Sequence, residues 1–177
     1  MSKQWTLIGI VVVGLALGAA ALTWVAPDGA VEINRPAPNF QAIDLATRDS
    51  ASLEDYRGSV TLVNIWATWC LPCRDEMPSM QKLYDSLATR GFRIAAISID
   101  EGSPEDVTAF AEKFGLTFDI LHDRSGQVER LYQTTGVPES FLLDRRGVLV
   151  KRVIGAHDWS SPANIGAVER LLEQPEE

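Results

Sequence analysis

The chain has 177 residues, of which 46% are hydrophobic and 23% are charged, and its formal net charge is −8 at pH 7. These values are ordinary for a globular protein and argue against a disordered chain or a small disulfide-stapled scaffold. Because the excess negative charge repels phosphate groups, we expect no nucleic-acid partner. The length leaves room for one domain of common size after an apolar N-terminal segment.

This N-terminal segment carries no charge between Lys3 and Asp28. Residues 5–26 (WTLIGIVVVGLALGAAALTWVA) would span about 33 Å as a helix, which is enough to cross a bilayer. We predict a short cytoplasmic tail and a transmembrane anchor in residues 1–26, with residues 5–26 in contact with membrane lipid. The alternative is a cleaved secretory signal, which has an apolar core of about 7–15 residues followed by small residues, here Ala19–Ala21. The positive charge of Lys3 predicts that the N-terminus lies inside and the domain outside.

Residues 27–38 contain Pro36 and Pro38, which favour an extended tether before a domain over residues 39–177. In that domain, strand and helix signals alternate. We predict strands at 60–66, 92–99, 118–121, 140–144 and 148–154, and helices at 71–90, at 104–114 and from about 160 to about 173. Strand–helix–strand units followed by a hairpin and a final helix predict an α/β fold whose central sheet is covered on both faces.

The most informative segment is WATWCLPCRDEMP, residues 66–78, which places Cys70 and Cys73 where a buried strand passes into a helix. Free backbone N–H groups and the helix dipole would lower the pKa of Cys70 below its free value of about 8.5, which makes it a nucleophile. Cys73, one turn later, is the expected buried resolving thiol. The two sulfurs can close a small ring and form a redox-active disulfide.

Two other uses of these cysteines remain open. A zinc site needs four ligands, and the chain offers only two cysteines and two histidines, His122 and His157, which are distant in sequence. A purely structural disulfide would close so short a loop that it would stabilise the fold only weakly. We therefore expect neither a metal nor another cofactor. We also expect His122 to lie at a strand end on the surface.

Glu76 follows Cys73 by three residues, so on a helix the two side chains share a face. A carboxylate buried there would have a raised pKa and could accept or donate the proton of the resolving thiol. The alternative is an exposed glutamate that merely suits the helix dipole. Of the two tryptophans before Cys70, we expect Trp66 to fill the core and Trp69 to lie beside the exposed sulfur as part of a docking surface.

Four motifs together resemble those of one known group of proteins. They are PAPNF at 36–40, SLEDYRG at 52–58, VNIWATWCLPCRDEMP at 63–78 and GVPESFLLD at 136–144. With them the chain is similar to the TlpA/ResA/CcmG (DsbE) group of membrane-anchored, thioredoxin-like thiol:disulfide oxidoreductases. The resemblance implies a thioredoxin-like fold with a central mixed sheet, helices on both faces, an N-terminal hairpin and an insertion at about 101–116, after the second core strand.

The same resemblance implies an activity and a location. Members of this group reduce disulfides in extracytoplasmic partner proteins, and a membrane donor of the CcdA/DsbD type supplies the electrons. The expected location is the bacterial inner (cytoplasmic) membrane, with a single span, the N-terminus inside and the catalytic domain in the periplasm or outside.

The resemblance also assigns roles to residues. Cys70, Cys73 and Glu76 are the expected catalytic residues. The expected substrate-binding residues are Trp69, Leu71, Pro72, Val137, Pro138 and Glu139. Pro138 would be a cis-proline that faces the disulfide and whose loop offers its backbone to a substrate strand. Without the motif, Val137-Pro138 would be an ordinary trans turn, since only about 5–6% of such bonds are cis.

Positions 64 and 139 bear on which acids take part in the exchange. Thioredoxin carries a buried aspartate six residues before its first cysteine, where this chain has Asn64, so Glu76 becomes the expected proton acceptor. Glu139 resembles the acid of the GxPE motif in CcmG-type proteins, and the alternative is an exposed acid at a strand edge.

The segment HDWSSP, residues 157–162, resembles one that precedes the last helix of TlpA-like proteins, and we read it as a helix start capped by Ser160 or Ser161.

The substrate is either apocytochrome c, to which GVPES points, or a protein of copper-site assembly in cytochrome oxidase, to which CRDEMP and HDWSSP point. Two other function classes are less favoured. A Sco-like copper carrier would need two cysteines separated by three residues and a later histidine. A peroxiredoxin would carry a threonine three residues before its reactive cysteine, where this chain has Ala67.

Overall fold

The computed structural model describes residues 31–175. Its seven strands form one sheet: β1 (Gln41–Asp44), β2 (Ser50–Ser52), β3 (Val60–Trp66), β4 (Phe92–Ser98), β5 (Asp119–His122), β6 (Glu139–Leu143) and β7 (Leu149–Ile154). The helices in these residues are α1 (Leu71–Leu87), α2 (Pro104–Phe114), α3 (Gln127–Leu131) and α4 (Pro162–Leu172), with 3-10 turns at Leu53–Tyr56 and Ala88–Arg90.

The sheet is mixed, with the strand order β2-β1-β5-β4-β3-β6-β7. Strands β3, β4 and β5 run parallel, and the flanking hairpins β1–β2 and β6–β7 add antiparallel strands. The mixed sheet, the N-terminal hairpin and the helix α2 inserted between β4 and β5 agree with the predicted architecture. Because the carboxyl ends of parallel strands meet at one edge, the segments that follow β3 and β4 lie close together there.

Strand β3 is the centre of the core, and every one of its residues is buried. Its side chains alternate between two hydrophobic clusters, one on each face of the sheet. Leu62 and Trp66 pack with the apolar face of α1, whereas Val63 and Ile65 pack with the other cluster. This burial on both faces explains why β3 is mostly apolar in sequence, with Thr61 and Asn64 as its two polar residues.

The observed elements differ from the predicted ones at several points, and the last helix begins at Pro162 and not at about residue 160. The predicted helix 71–90 is α1 up to Leu87, then a 3-10 turn that ends at Gly91, whose φ of 95° favours glycine. Several strand ends differ by one residue. The helix α3 was not predicted, because its five residues are too few to show a helical period.

The end of the predicted tether is paired with the domain. The amide of Asn34 donates to the carbonyl of Leu149 (2.7 Å), and that of Ala37 donates to the carbonyl of Gly147 (2.9 Å).

The predicted membrane span lies outside the described residues, so it and the predicted domain boundaries stay predictions. Within residues 31–175, no helix has both the length and the apolar character required to cross a bilayer.

Candidate functional site

The two cysteines lie where β3 passes into α1. Cys70 is the N-cap of α1, and the two sulfurs form a disulfide with an S–S distance of 2.08 Å. The amide of Cys73 donates to Sγ of Cys70 at 3.1 Å. Cys70 is 5% exposed and Cys73 is 0% exposed, so Cys70 is the more accessible of the two. A backbone N–H aimed at Sγ would also stabilise a thiolate on Cys70 once the disulfide is reduced.

A cis peptide bond between Val137 and Pro138 faces this disulfide. The carbonyl oxygen of Val137 lies 3.5 Å from Sγ of Cys70. Because a disulfide sulfur carries no proton, this approach is a contact and not a hydrogen bond. The prediction of a cis-proline loop opposite Cys70 is confirmed in its geometry, while the binding of a substrate strand there stays a prediction.

Exposed apolar side chains surround the disulfide. Trp69 is 65% exposed and Leu71 is 67% exposed, and Pro72 beside them is also exposed. Trp66, by contrast, is fully buried, and the centroid of its ring lies 4.9 Å from that of the Phe110 ring. Exposed apolar groups next to a reactive centre are typical of a partner-binding surface.

Glu76 is buried, with 3% of its surface exposed, so the alternative of an exposed helical acid is wrong. Its Oε1 accepts a hydrogen bond from Nδ2 of Asn64 (2.8 Å), and its Oε2 accepts one from the amide of His157 (3.1 Å). Burial raises the pKa of Glu76 from 4.5 to about 7, against the opposing effect of the hydrogen bonds from Asn64 and from the amide of His157. The carboxyl group therefore changes its charge near neutral pH.

Asn64 explains how the site tolerates a buried acid. Its Nδ2 donates to Glu76 and also to Oγ of Ser140, each at 2.8 Å. An aspartate at this position would place a second carboxylate against Glu76 in a buried setting, where two negative charges repel strongly. The amide instead donates to Glu76 in either of its charge states.

The buried acid should make stability depend on pH. Between pH 4.5 and about 7 an unfolded chain has released the proton of Glu76, whereas the folded protein still holds it. Stability therefore falls as pH rises through this window, by up to about 3 kcal/mol. We expect this fall in the oxidised protein and its absence in Glu76→Gln, measured by denaturant unfolding at several pH values. Asp75→Asn, which removes an exposed neighbouring acid, is the control, and an unchanged fall in Glu76→Gln would contradict the burial.

An aspartate that the sequence did not reveal holds the loop before Cys70. Asp100 accepts hydrogen bonds from the amide (2.9 Å) and the hydroxyl (2.6 Å) of Thr68, and from the hydroxyl of Ser98 (2.7 Å). Thr68 directly precedes Trp69, so these bonds fix the approach to Cys70. A usable signal was present, since Asp100 follows β4, whose carboxyl end lies beside that of β3.

Glu139 is fully buried, so the alternative of an exposed strand-edge acid is wrong. It forms an ion pair with Arg152 and accepts a bond from the amide of Thr135 at 3.0 Å. Arg152 also donates to the carbonyl of Gln133 at 3.0 Å. Because strand residues alternate, Glu139 points to the face opposite Ser140 and hence opposite Glu76. Its contacts hold the loop before the cis-proline, and a direct part in substrate binding stays a prediction.

The structure corrects the predictions for His122 and Ser161. His122 ends β5 as predicted, but it is buried because β1 pairs with β5 and places Ile43 next to it. Nε2 of His122 lies 2.7 Å from the carbonyl oxygen of Asp100. Ser161 is the N-cap of α4, yet its hydroxyl makes no bond to the helix backbone and instead accepts one from Asn164 (3.0 Å).

Comparison with known proteins shows the family to which the chain belongs. The family model described as the AhpC/TSA family matches residues 33–152. The thiol-disulfide oxidoreductase ResA of Geobacillus thermodenitrificans is 38% identical over 161 residues, which cover 88% of this chain and 91% of the relative. ResA of Geobacillus kaustophilus is 42% identical over 126 residues, which cover 71% of this chain and 70% of that protein.

A solved structure points the same way. The crystal structure of a protein described as the thiol:disulfide interchange protein DsbE of Chlorobium tepidum superimposes with a TM-score of 0.69 and 30% identity. The match covers 81% of this chain and 96% of that one. The chain therefore belongs to the AhpC/TSA family and is a thiol-disulfide oxidoreductase of the ResA, TlpA and DsbE type with a thioredoxin-like fold.

Proposed function

We propose that the chain is an extracytoplasmic protein-disulfide reductase in which Cys70 attacks and Cys73 resolves. One observation carries the proposal: Sγ of Cys70 lies at the start of α1 and against the carbonyl of Val137, while Cys73 is buried behind it. Only Cys70 therefore has both a position that stabilises a thiolate and a side open to a partner.

In the first step the reduced protein attacks a partner disulfide. The Cys70 thiolate forms a bond to one partner sulfur, the partner S–S bond breaks, and the second partner sulfur leaves as a thiolate that takes up a proton. Trp69, Leu71 and Pro72 supply the apolar docking surface around the attack. The backbone of Val137, ahead of Pro138, lines the other side.

In the second step Glu76 accepts the proton of Cys73. The resulting thiolate attacks Sγ of Cys70, the mixed disulfide breaks, and the partner leaves with both of its sulfurs reduced. A pKa of about 7 suits this task, because such a carboxyl group both accepts and releases a proton near neutral pH. The protein then holds the Cys70–Cys73 disulfide and needs two electrons from a donor.

The partner, the donor and the location form the less direct part of the proposal. We propose apocytochrome c or a protein of cytochrome oxidase copper-site assembly as the substrate, and a membrane protein of the CcdA/DsbD type as the electron donor. The charge-free residues 5–26 support an anchor in the inner membrane with the domain on its outer side.

Fusions test the location. A reporter that is active on only one side of the membrane, joined after residue 35, should be active outside. A cytoplasmic readout would contradict the extracytoplasmic role. A soluble mature form that begins near Leu22 would contradict only the anchor.

A trapping experiment tests the substrate. Cys73→Ser expressed in native membranes should hold its partner on Cys70 as a mixed disulfide, because the resolving thiol is missing. The trapped proteins are then identified after purification under non-reducing conditions. The double variant Cys70→Ser/Cys73→Ser is the control, since the chain has two cysteines in all. An equal catch from both variants would contradict the proposed exchange.

A further inference from the structure

A short segment between β7 and α4 covers Glu76. The amide of His157 in this segment donates to Oε2 of Glu76 at 3.1 Å, and Trp159, two residues later, is buried. The rings of His157 and Trp159 meet edge to face, with 5.1 Å between their centroids. Residues 157–159 therefore lie against this side of the buried carboxyl group, in contact with it through the amide of His157. We call them the covering segment.

One hydroxyl joins this covering segment to α1. Oγ of Ser79 lies 2.8 Å from the carbonyl oxygen of Glu76 and 3.3 Å from that of His157, so its proton can serve either acceptor. The same oxygen accepts a hydrogen bond from the amide of Trp159 at 3.0 Å. Ser79 thus contacts both ends of the covering segment from a point one turn after Glu76 on the same helix.

The far side of the segment is held independently of Ser79. Lys151 on β7 places its ammonium group 5.6 Å from the ring centroid of Trp159 and donates to Oδ1 of Asn164 at 2.9 Å. Nδ2 of Asn164 in turn donates to the carbonyl of Asp158 at 2.7 Å. Loss of the Ser79 hydroxyl would therefore remove its two bonds to the covering segment. The bond from the amide of His157 to Glu76 would remain as a link to α1, and the attachment to β7 and α4 would stay in place.

We propose that Ser79 is a positioning residue whose hydroxyl holds the covering segment on Glu76 and thereby keeps water away from the carboxyl group. This inference rests on the proposed function in so far as Glu76 is the proton acceptor for Cys73. The ionisable groups on the elements packed against Glu76 are His157 and Asp158 in the covering segment, Lys151 on β7, whose ammonium group faces the ring of Trp159, and, once the disulfide is reduced, Cys73 on the same helix.

Without the hydroxyl, the buried amide of Trp159 would lack its acceptor, which favours lifting of the covering segment. Water would then reach Glu76. Burial is the largest cause of the raised pKa of Glu76, so hydration lowers that pKa. Loss of the bond from the amide of His157 acts in the opposite direction and is the smaller effect.

The decisive comparison is Ser79→Val against Ser79→Thr, because the two side chains have the same shape and only threonine keeps a hydroxyl. In the oxidised protein, the pKa of Glu76 is read from the carboxyl ¹³C shift, assigned by its loss in Glu76→Gln. We expect Ser79→Val to lower this pKa by about one unit and Ser79→Thr to preserve it. Ser86→Ala is the matched control on α1, since the Ser86 hydroxyl bonds only the helix carbonyl of Lys82 (2.7 Å) and is exposed.

An unchanged pKa of Glu76 in Ser79→Val would overturn the inference, as would an equal fall in both variants. Ser79→Ala is a second hydroxyl-free variant, and its smaller side chain adds no methyl group at this position of α1. If neither hydroxyl-free variant folds, hydrogen exchange of the Trp159 amide in the wild type decides, and fast exchange of this amide would also overturn the inference. The ¹³C measurement of the pKa of Glu76 does not depend on turnover. If Glu76→Gln resolved mixed disulfides at the normal rate, that result would contradict the proposed function of Glu76 and leave the test of Ser79 intact.

Discussion

Cys70→Ser should lower the turnover of a disulfide substrate by at least about 10³-fold, because the chain then lacks its attacking thiol. Cys73→Ser should lower turnover comparably for a different reason. Its Cys70 still attacks, but the mixed disulfide persists because no buried thiol displaces the partner. The measurement is steady-state reduction of a disulfide substrate, with the adduct followed by mass spectrometry under non-reducing conditions.

The double variant Cys70→Ser/Cys73→Ser is the control for non-specific capture. Accumulation of a stable adduct on Cys73 in Cys70→Ser, at the rate seen for Cys70 in Cys73→Ser, would reverse the two roles. If either single cysteine variant turned over the substrate as fast as the wild type, a dithiol mechanism would be contradicted.

Glu76→Gln should change the thiol chemistry in two opposite ways. The negative charge of Glu76 opposes the formation of a nearby thiolate, so its removal should lower the pKa values of both cysteines. Resolution of the mixed disulfide should nevertheless slow by about 10²-fold, because Cys73 loses its proton acceptor. The measurements are the pH dependence of thiol alkylation and single-turnover release of a mixed-disulfide partner.

The sign of the pH effect follows from the pKa of about 7 for Glu76. Below this pH the carboxyl group is neutral in the wild type, so the alkylation profiles of wild type and Glu76→Gln should converge. Above it the wild type should lag behind the variant until its thiols ionise. Asp75→Asn is the matched control, since it removes an exposed acid from the same turn of α1. Profiles and release rates equal to those of the wild type would show that Glu76 takes no part in the exchange.

The sequence predicted the parts of the site that depend on local signals. Five of the seven buried residues of β3 are apolar, and this pattern predicts a buried strand from the sequence alone. Cys70 and Cys73 with Pro72 mark the start of α1, and the spacing of three residues puts Glu76 on the face of Cys73. The cis bond before Pro138 came from the resemblance alone, because most X-Pro bonds are trans.

The remaining features depend on contacts between residues far apart in the chain. The amide of His157 reaches Glu76 across 81 residues, and nothing in the HDWSSP motif indicates this bond. Glu139 is buried with an ion-pair partner, Arg152 on the neighbouring strand β7, and a charged residue is rarely buried without such a partner. His122 is buried only because β1, from an earlier part of the chain, pairs alongside β5.

The assignment of Cys70 as the nucleophile is tested by the alkylation rate of each cysteine in the fully reduced wild type, measured across pH with a small reagent and peptide mass spectrometry. Cys70, at the start of α1 and open to solvent on one side, should react much faster near pH 7 than Cys73. Its rate should rise with a midpoint below the free thiol pKa of about 8.5. Equal rates for the two cysteines, or a midpoint for Cys70 at or above that of a free thiol, would contradict the assignment of Cys70 as the activated nucleophile.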